Sequence, residues 1–130
     1  MTVLQYRSLP KQRRHKYGAK RTVVDGIKFD SKGEALRWIM LKHMVRSRQI
    51  RNLERQVVIT LHAPFYDGVA EIGHYVADFK YSNHVGDWII EDYKGFDTPL
   101  SKWKRKHAEA EHNITILLTG PAAKKRRRSA

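Results

Sequence analysis

A chain of 130 residues that is 41% hydrophobic has enough apolar surface for one core, and no apolar run approaches the ~20 residues that cross a bilayer. Twenty-six Lys and Arg against thirteen Asp and Glu give a net charge of +13 and a pI near 10.2, which points to nucleic acid rather than a membrane as partner. The absence of cysteine excludes disulfide frameworks and zinc-thiolate sites and fits a cytoplasmic setting.

The chain opens on a basic arm, residues 1–21, carrying Lys11, Arg13, Arg14, Lys16, Lys20 and Arg21. It has no apolar central stretch, so it does not read as a signal peptide. Thr22-Val23-Val24 and Ile27-Lys28-Phe29 flank Asp25-Gly26, the signature of a small hairpin. Ser31 then starts the clearest helix, over 31–48, where Ala35, Leu36, Trp38, Ile39, Leu41, Met44 and Val45 recur at three- and four-residue spacing. Three strands are expected next, over 56–61 (QVVITL), 70–81 and 87–94 (DWIIEDYK). Gly95 and Pro99 break that pattern, and a second helix is expected over 101–111 with Lys102, Lys104 and Lys106 as nucleic-acid contacts. The apolar run 114–118 (ITILL) reads as a strand buried within a sheet. A tail over 121–130 ends the chain with Lys124, Lys125, Arg126, Arg127 and Arg128, which suit phosphate contact as the arm does. The expected organisation is one α/β domain over 22–120, a mixed sheet flanked by helices in the order α-β-β-β-α-β, between two basic ends.

The third strand carries the chemistry. Side chains alternate across a strand, so Trp88, Ile90, Asp92 and Lys94 share one face while Ile89, Glu91 and Tyr93 share the other. Bare charges on the face of an inner strand are costly. Asp78 sits mid-strand in the preceding stretch, between Ala77 and Phe79. Two carboxylates and a lysine of this kind suit phosphodiester hydrolysis. Mg²⁺, or Mn²⁺ in its place, takes carboxylate oxygens and keeps positions for water and phosphate, and a lysine beside it steadies the phosphate oxygens. The rival reading is an ordinary salt bridge to Lys94, which explains any one pair but not the three together.

Glu34 lies at helical spacing from Trp38, Leu41 and Val45, where a carboxylate needs a reason. Two reasons compete: a ligand role, and a capping box formed with Ser31. Gln56 opens the first strand and is a candidate accessory contact, or a plain strand-end glutamine. Seven histidines show no metal-ligand spacing along one helix face. Trp38 and Trp88 read as core; Trp103 is either half-buried helix packing or a base-stacking residue.

The stretches SKGEA (31–35), ADF (77–79) and EDYKG (91–95) resemble the motifs of the PD-(D/E)xK nuclease superfamily. More narrowly, they are similar to small phage endonucleases of the recombination or Holliday-junction-resolvase kind. The resemblance spans residues 17–118. It implies a restriction-endonuclease-like core, Mg²⁺ or Mn²⁺ dependence, branched DNA as substrate, a homodimer as assembly, and the host bacterial cytoplasm as setting. Carried over by position, Asp78, Asp92 and Glu34 would hold metal and Lys94 would complete the catalytic set. The first motif lacks its proline, having Ala77 before Asp78. A non-catalytic nucleic-acid-binding protein on such a fold is the alternative.

Overall fold

The structure, a computed structural model, describes residues 21–123. The expected nucleic-acid contacts Arg13, Arg14, Lys16 and Lys20, and those from Lys124 to the end of the KKRRR run, lie outside the described residues.

Strands β1 (Thr22–Val24) and β2 (Ile27–Phe29) pair antiparallel. Asp25 (φ 52) and Gly26 (φ 75) both take left-handed conformations, the geometry that a two-residue turn between twisted strands requires. Helix α1 (Lys32–Arg46) starts where Ser31 Oγ accepts from the Glu34 N–H at 3.1 Å. Such a bond satisfies one of the helix's orphan donors. Two strands of sixteen residues follow, β3 (Ile50–Phe65) and β4 (Gly68–Asn83). Both run well past the apolar stretches that announce them. Their outer residues are held by ladder hydrogen bonds rather than by burial, as where Phe65 pairs with Gly68.

Strand β5 (Trp88–Tyr93) leads to helix α2 (Pro99–His112), and β6 (Ile116–Thr119) closes the order. The second helix begins two residues earlier than its sequence pattern indicated. Thr98 is its N-cap and Pro99 takes the first turn, where a missing N–H costs nothing. Asn113, in the left-handed region (φ 52), ends it.

The main sheet runs β3-β4-β5-β6, antiparallel except for the parallel pair β5–β6. The fold is therefore α/β, with a mixed four-stranded sheet and a separate two-stranded one flanked by helices. Among the described residues strand β6 is an edge, contrary to the expectation of a strand inside the sheet, and Leu117 is exposed. Trp88, expected in the core, lies outside it. It is 55% exposed, with Lys80 Nζ 4.8 Å from its ring centroid, because β5 starts at the open end of the sheet. Among the described residues no helix is long and apolar enough to cross a membrane.

The core has two parts. Ile59, Leu61, Tyr75, Ala77 and Ile116 pack with Ala108 of α2, and Ile50, Phe79 and Tyr81 pack with Leu41 of α1. Ile90 joins the first cluster and Ile89 the second, so the clusters occupy opposite faces of the sheet. In β4, simple alternation would put Tyr75, Ala77, Phe79 and Tyr81 on one face. The strand instead changes faces at Asp78. That is where its pairing with β5 stops, the last pair being Phe79 with Glu91. It is also where Gln56, across from Asp78 in the β3 ladder, adopts φ 51.

Candidate functional site

Strands β4 and β5 part beyond Phe79 and Glu91, and β5 continues beside β6 alone. Asp78 and Asp92 are the first residues past this fork. Freed from β4, the Tyr93 N–H donates to Asp78 Oδ2 at 2.9 Å instead of to a ladder carbonyl. Lys94 is pinned by its backbone: its N–H donates to Thr119 O at 2.9 Å and its carbonyl accepts from Ala122 N at 3.1 Å. Its ammonium then reaches Asp92 Oδ2 at 3.2 Å, an oxygen that also accepts from the Tyr75 hydroxyl. The alternation read from the sequence thus holds in β5.

Glycines make room for this arrangement. A Cβ at Gly33 would fall 1.9 Å from the Tyr93 hydroxyl, and one at Gly120 would fall 2.8 Å from Lys94 O. Gly120 also has φ +89. The glycine of SKGEA therefore lets Tyr93 lie against the start of α1, and Tyr93 carries the N–H that holds Asp78.

The electrostatics of the pair are unusual. Asp92 is 1% exposed, and its Oδ1 is buried with no hydrogen-bond partner. Burial, then contact with Asp92 and the charge of Glu34, push the Asp78 carboxyl up to about 9, against the lowering effect of the Tyr93 N–H. Near neutral pH a proton on Asp78 can serve the Asp92 carboxylate. Glu34 is raised as well, first by burial and then by Asp30, with Asp92 adding to the shift and Arg55 and Lys94 opposing it. Its backbone N–H is used by the Ser31 cap while its carboxylate sits within electrostatic range of the pair. The Ser31 half of the capping box thus uses the Glu34 backbone and not its carboxylate.

The donor set suits a hard divalent cation: carboxylate oxygens, one of them buried and unserved, in a site that holds protons it would release to metal. Asp78 and Asp92 stand in contact, and Glu34 is not closed onto them. Gln56 is exposed, across the ladder from Asp78.

One set of three side chains among the described residues does bring possible ligand atoms within 4.8 Å of one another: His62, Glu111 and His112. A search for helical ligand spacing misses it because His62 comes from β3. Hydrogen bonds account for the cluster. Glu111 accepts from the His62 backbone at 3.0 Å and lies 2.8 Å from His62 Nδ1, and His112 Nε2 lies 2.6 Å from Thr60 O. These contacts tie the end of α2 to β3.

Across β5 from Asp92, Glu91 is fully buried and fully served. The Arg37 guanidinium grips both its oxygens, through Nε at 2.5 Å and Nη2 at 3.0 Å. Tyr81 donates to Oε2 at 2.7 Å and Thr119 to Oε1 at 3.0 Å. Of the expected nucleic-acid contacts within the described residues, Arg21, Lys102 and Lys106 are exposed and Lys104 is half-buried. The family described as "Protein of unknown function (DUF1064)" matches residues 14–119, and the chain belongs to it. No curated protein and no solved structure matches the chain.

Proposed function

We propose that this family member is a divalent-cation-dependent endonuclease that hydrolyses DNA phosphodiester bonds, with a restriction-endonuclease-like core of the PD-(D/E)xK kind. One observation carries the reading: the buried Asp92 and half-buried Asp78 carboxyl groups stand in contact where β4 and β5 part, with the Lys94 ammonium 3.2 Å from Asp92 Oδ2. A structural ion pair between Lys94 and Asp92 gains nothing from a second acid in contact with it. A surface that only binds phosphate gains nothing from three acids gathered inside it.

Asp78 and Asp92 would hold Mg²⁺ or Mn²⁺, with Glu34 completing the set. When bound, such a cation draws charge from the phosphate oxygens and acidifies water. The chain's own residues do the rest. The Tyr93 N–H fixes one Asp78 oxygen and the Tyr75 hydroxyl fixes one Asp92 oxygen, so each carboxylate presents its other oxygen to the site. Lys94, oriented by Asp92, supplies a cationic donor for a phosphate oxygen or for the attacking water. The surrounding charge of +13 concentrates the polyanion. Branched recombination intermediates are the proposed substrate and a homodimer the proposed assembly, because symmetric cutting of a four-way junction requires twofold symmetry.

The test is incubation of the full chain with labelled junctions, flaps, nicked duplex and linear duplex, with Mg²⁺, Mn²⁺, Ca²⁺ or EDTA. Cleavage with Mg²⁺ or Mn²⁺ that disappears with EDTA is expected. Glu34→Gln should keep the Ser31 cap but need a higher Mg²⁺ concentration for half-maximal rate. Absence of cleavage of every substrate with every metal would remove the enzyme reading and leave a DNA-binding protein.

A further inference from the structure

Between α2 and the loop that leaves β5 lies a groove of about 740 Å³, within the ~300–1,000 Å³ typical of ligand pockets. It begins at Gly95, directly after Lys94, so it adjoins the proposed site. Two large aromatic side chains stand on it, Phe96 from the loop and Trp103 from the helix, each 56% exposed. Pro99, Lys102, Trp103 and Lys106 line it from one face of α2, at three- and four-residue spacing. Arg105, nearly buried, forms part of the groove's wall, and Ala108 is buried on the opposite face of the helix.

The acids of the groove have partners. Asp97 is gripped by Arg105 through both nitrogens, at 3.1 and 2.7 Å, and this pair is nearly buried. Glu109 accepts from the Ile116 N–H at 3.4 Å. The cations at the rim, Lys102 and Lys106, are exposed. The Asp97–Arg105 clamp ties the loop to the helix, so the groove is held open before anything enters it. An open groove with aromatic rings and ammonium groups suits a group with a flat π face and an attached phosphate. Bases within a duplex have no free face to offer, whereas an unpaired strand does.

Building on the nuclease reading of the neighbouring carboxylates, we infer that this groove binds single-stranded DNA beside the scissile bond. A base stacks on Trp103 and Phe96 and the flanking phosphates meet Lys102 and Lys106. The substrate class is then DNA with unpaired nucleotides at the point of cutting, as flaps and opened junctions have, rather than continuous duplex.

Binding is measured without cleavage, by fluorescence anisotropy of labelled oligo-dT and of a blunt duplex of equal length. The full chain is titrated in EDTA at fixed salt. The wild type should bind the single strand more tightly than the duplex. Trp103→Ala should weaken single-strand binding by roughly 10-fold while leaving duplex binding nearly unchanged, and Trp103→Phe, which keeps a π face, should restore most of it. Phe96→Ala should have a smaller effect of the same kind. Equal loss on both DNAs, or none on the single strand, would overturn the inference. Neither result touches the nuclease reading, which stands or falls on metal-dependent cleavage.

Discussion

Glu91 and Asp92 are neighbours in one strand, both are buried, and they live in opposite chemical worlds. Glu91 receives bonds from Arg37, Tyr81 and Thr119 on both oxygens, so its charge is offset and its hydrogen-bonding capacity is used. Asp92 receives Tyr75 and Lys94 on a single oxygen, and its other oxygen has no N–H or hydroxyl donor and stands beside a second acid. The first arrangement lowers the free energy of the fold. The second leaves a deficit that a proton or a cation can fill, and function needs such a deficit. A charged residue inside a protein is therefore informative less for being buried than for what its lone pairs lack.

That contrast is most directly broken by exchanging charge for amide on each side in turn. Asp92→Asn should reduce metal-dependent cleavage by about 10³-fold, a loss of ~4 kcal/mol in transition-state stabilisation, with the fold retained. Single-turnover cleavage with circular dichroism on the same samples reads both quantities. A variant cutting at wild-type rate would place the site elsewhere. Glu91→Gln should behave in the opposite way. It leaves the Arg37 guanidinium short of a counter-charge, which should lower stability by about 2–3 kcal/mol, less than for a fully enclosed pair because Arg37 can regain water. Urea denaturation measures this loss, and the cleavage rate of the folded fraction should remain near wild type. If Glu91→Gln abolished cleavage without a change in stability, the two carboxylates would have to exchange roles.

The third effect concerns Asp78 and depends on pH. Its folded value lies near 9, above the ~4 of a free aspartate, so the native state binds the extra proton over that interval. Stability in the absence of metal should therefore fall as pH rises from about 4 towards 9. Asp78→Asn removes this dependence. In EDTA its melting temperature should match wild type near pH 4 and exceed it at pH 8. Mg²⁺ should raise the wild-type melting temperature at pH 8 and leave that of Asp78→Asn almost unmoved. A flat pH profile for the wild type would show that Asp78 ionises freely.

The sequence by itself determined what depends on neighbours along the chain. Period-two alternation in 88–94 put Asp92 with Lys94 and Glu91 behind them, Asp25-Gly26 specified its turn, and the spacing of Ala35, Trp38 and Leu41 specified α1. These features are local, and local sterics settle them. The tertiary structure decided whatever rests on partners far away in sequence. Alternation in β4 gave no hint that Tyr75 and Phe79 face opposite cores, because the switch at Asp78 comes from β4 and β5 parting and from the left-handed turn of Gln56 opposite. The apolar run of β6 could not tell an edge strand from a buried one, since its neighbour on one side is β5 and on the other side no strand of the described residues pairs with it. Thr98 and Pro99 took a place inside a helix start that their breaker character concealed. Above all, Glu91 and Asp92 were alike on paper as acids in an apolar strand. Arg37, Tyr81 and Thr119, brought in from α1, β4 and β6, satisfied both oxygens of one of them, whereas Tyr75 and Lys94 reach only one oxygen of Asp92.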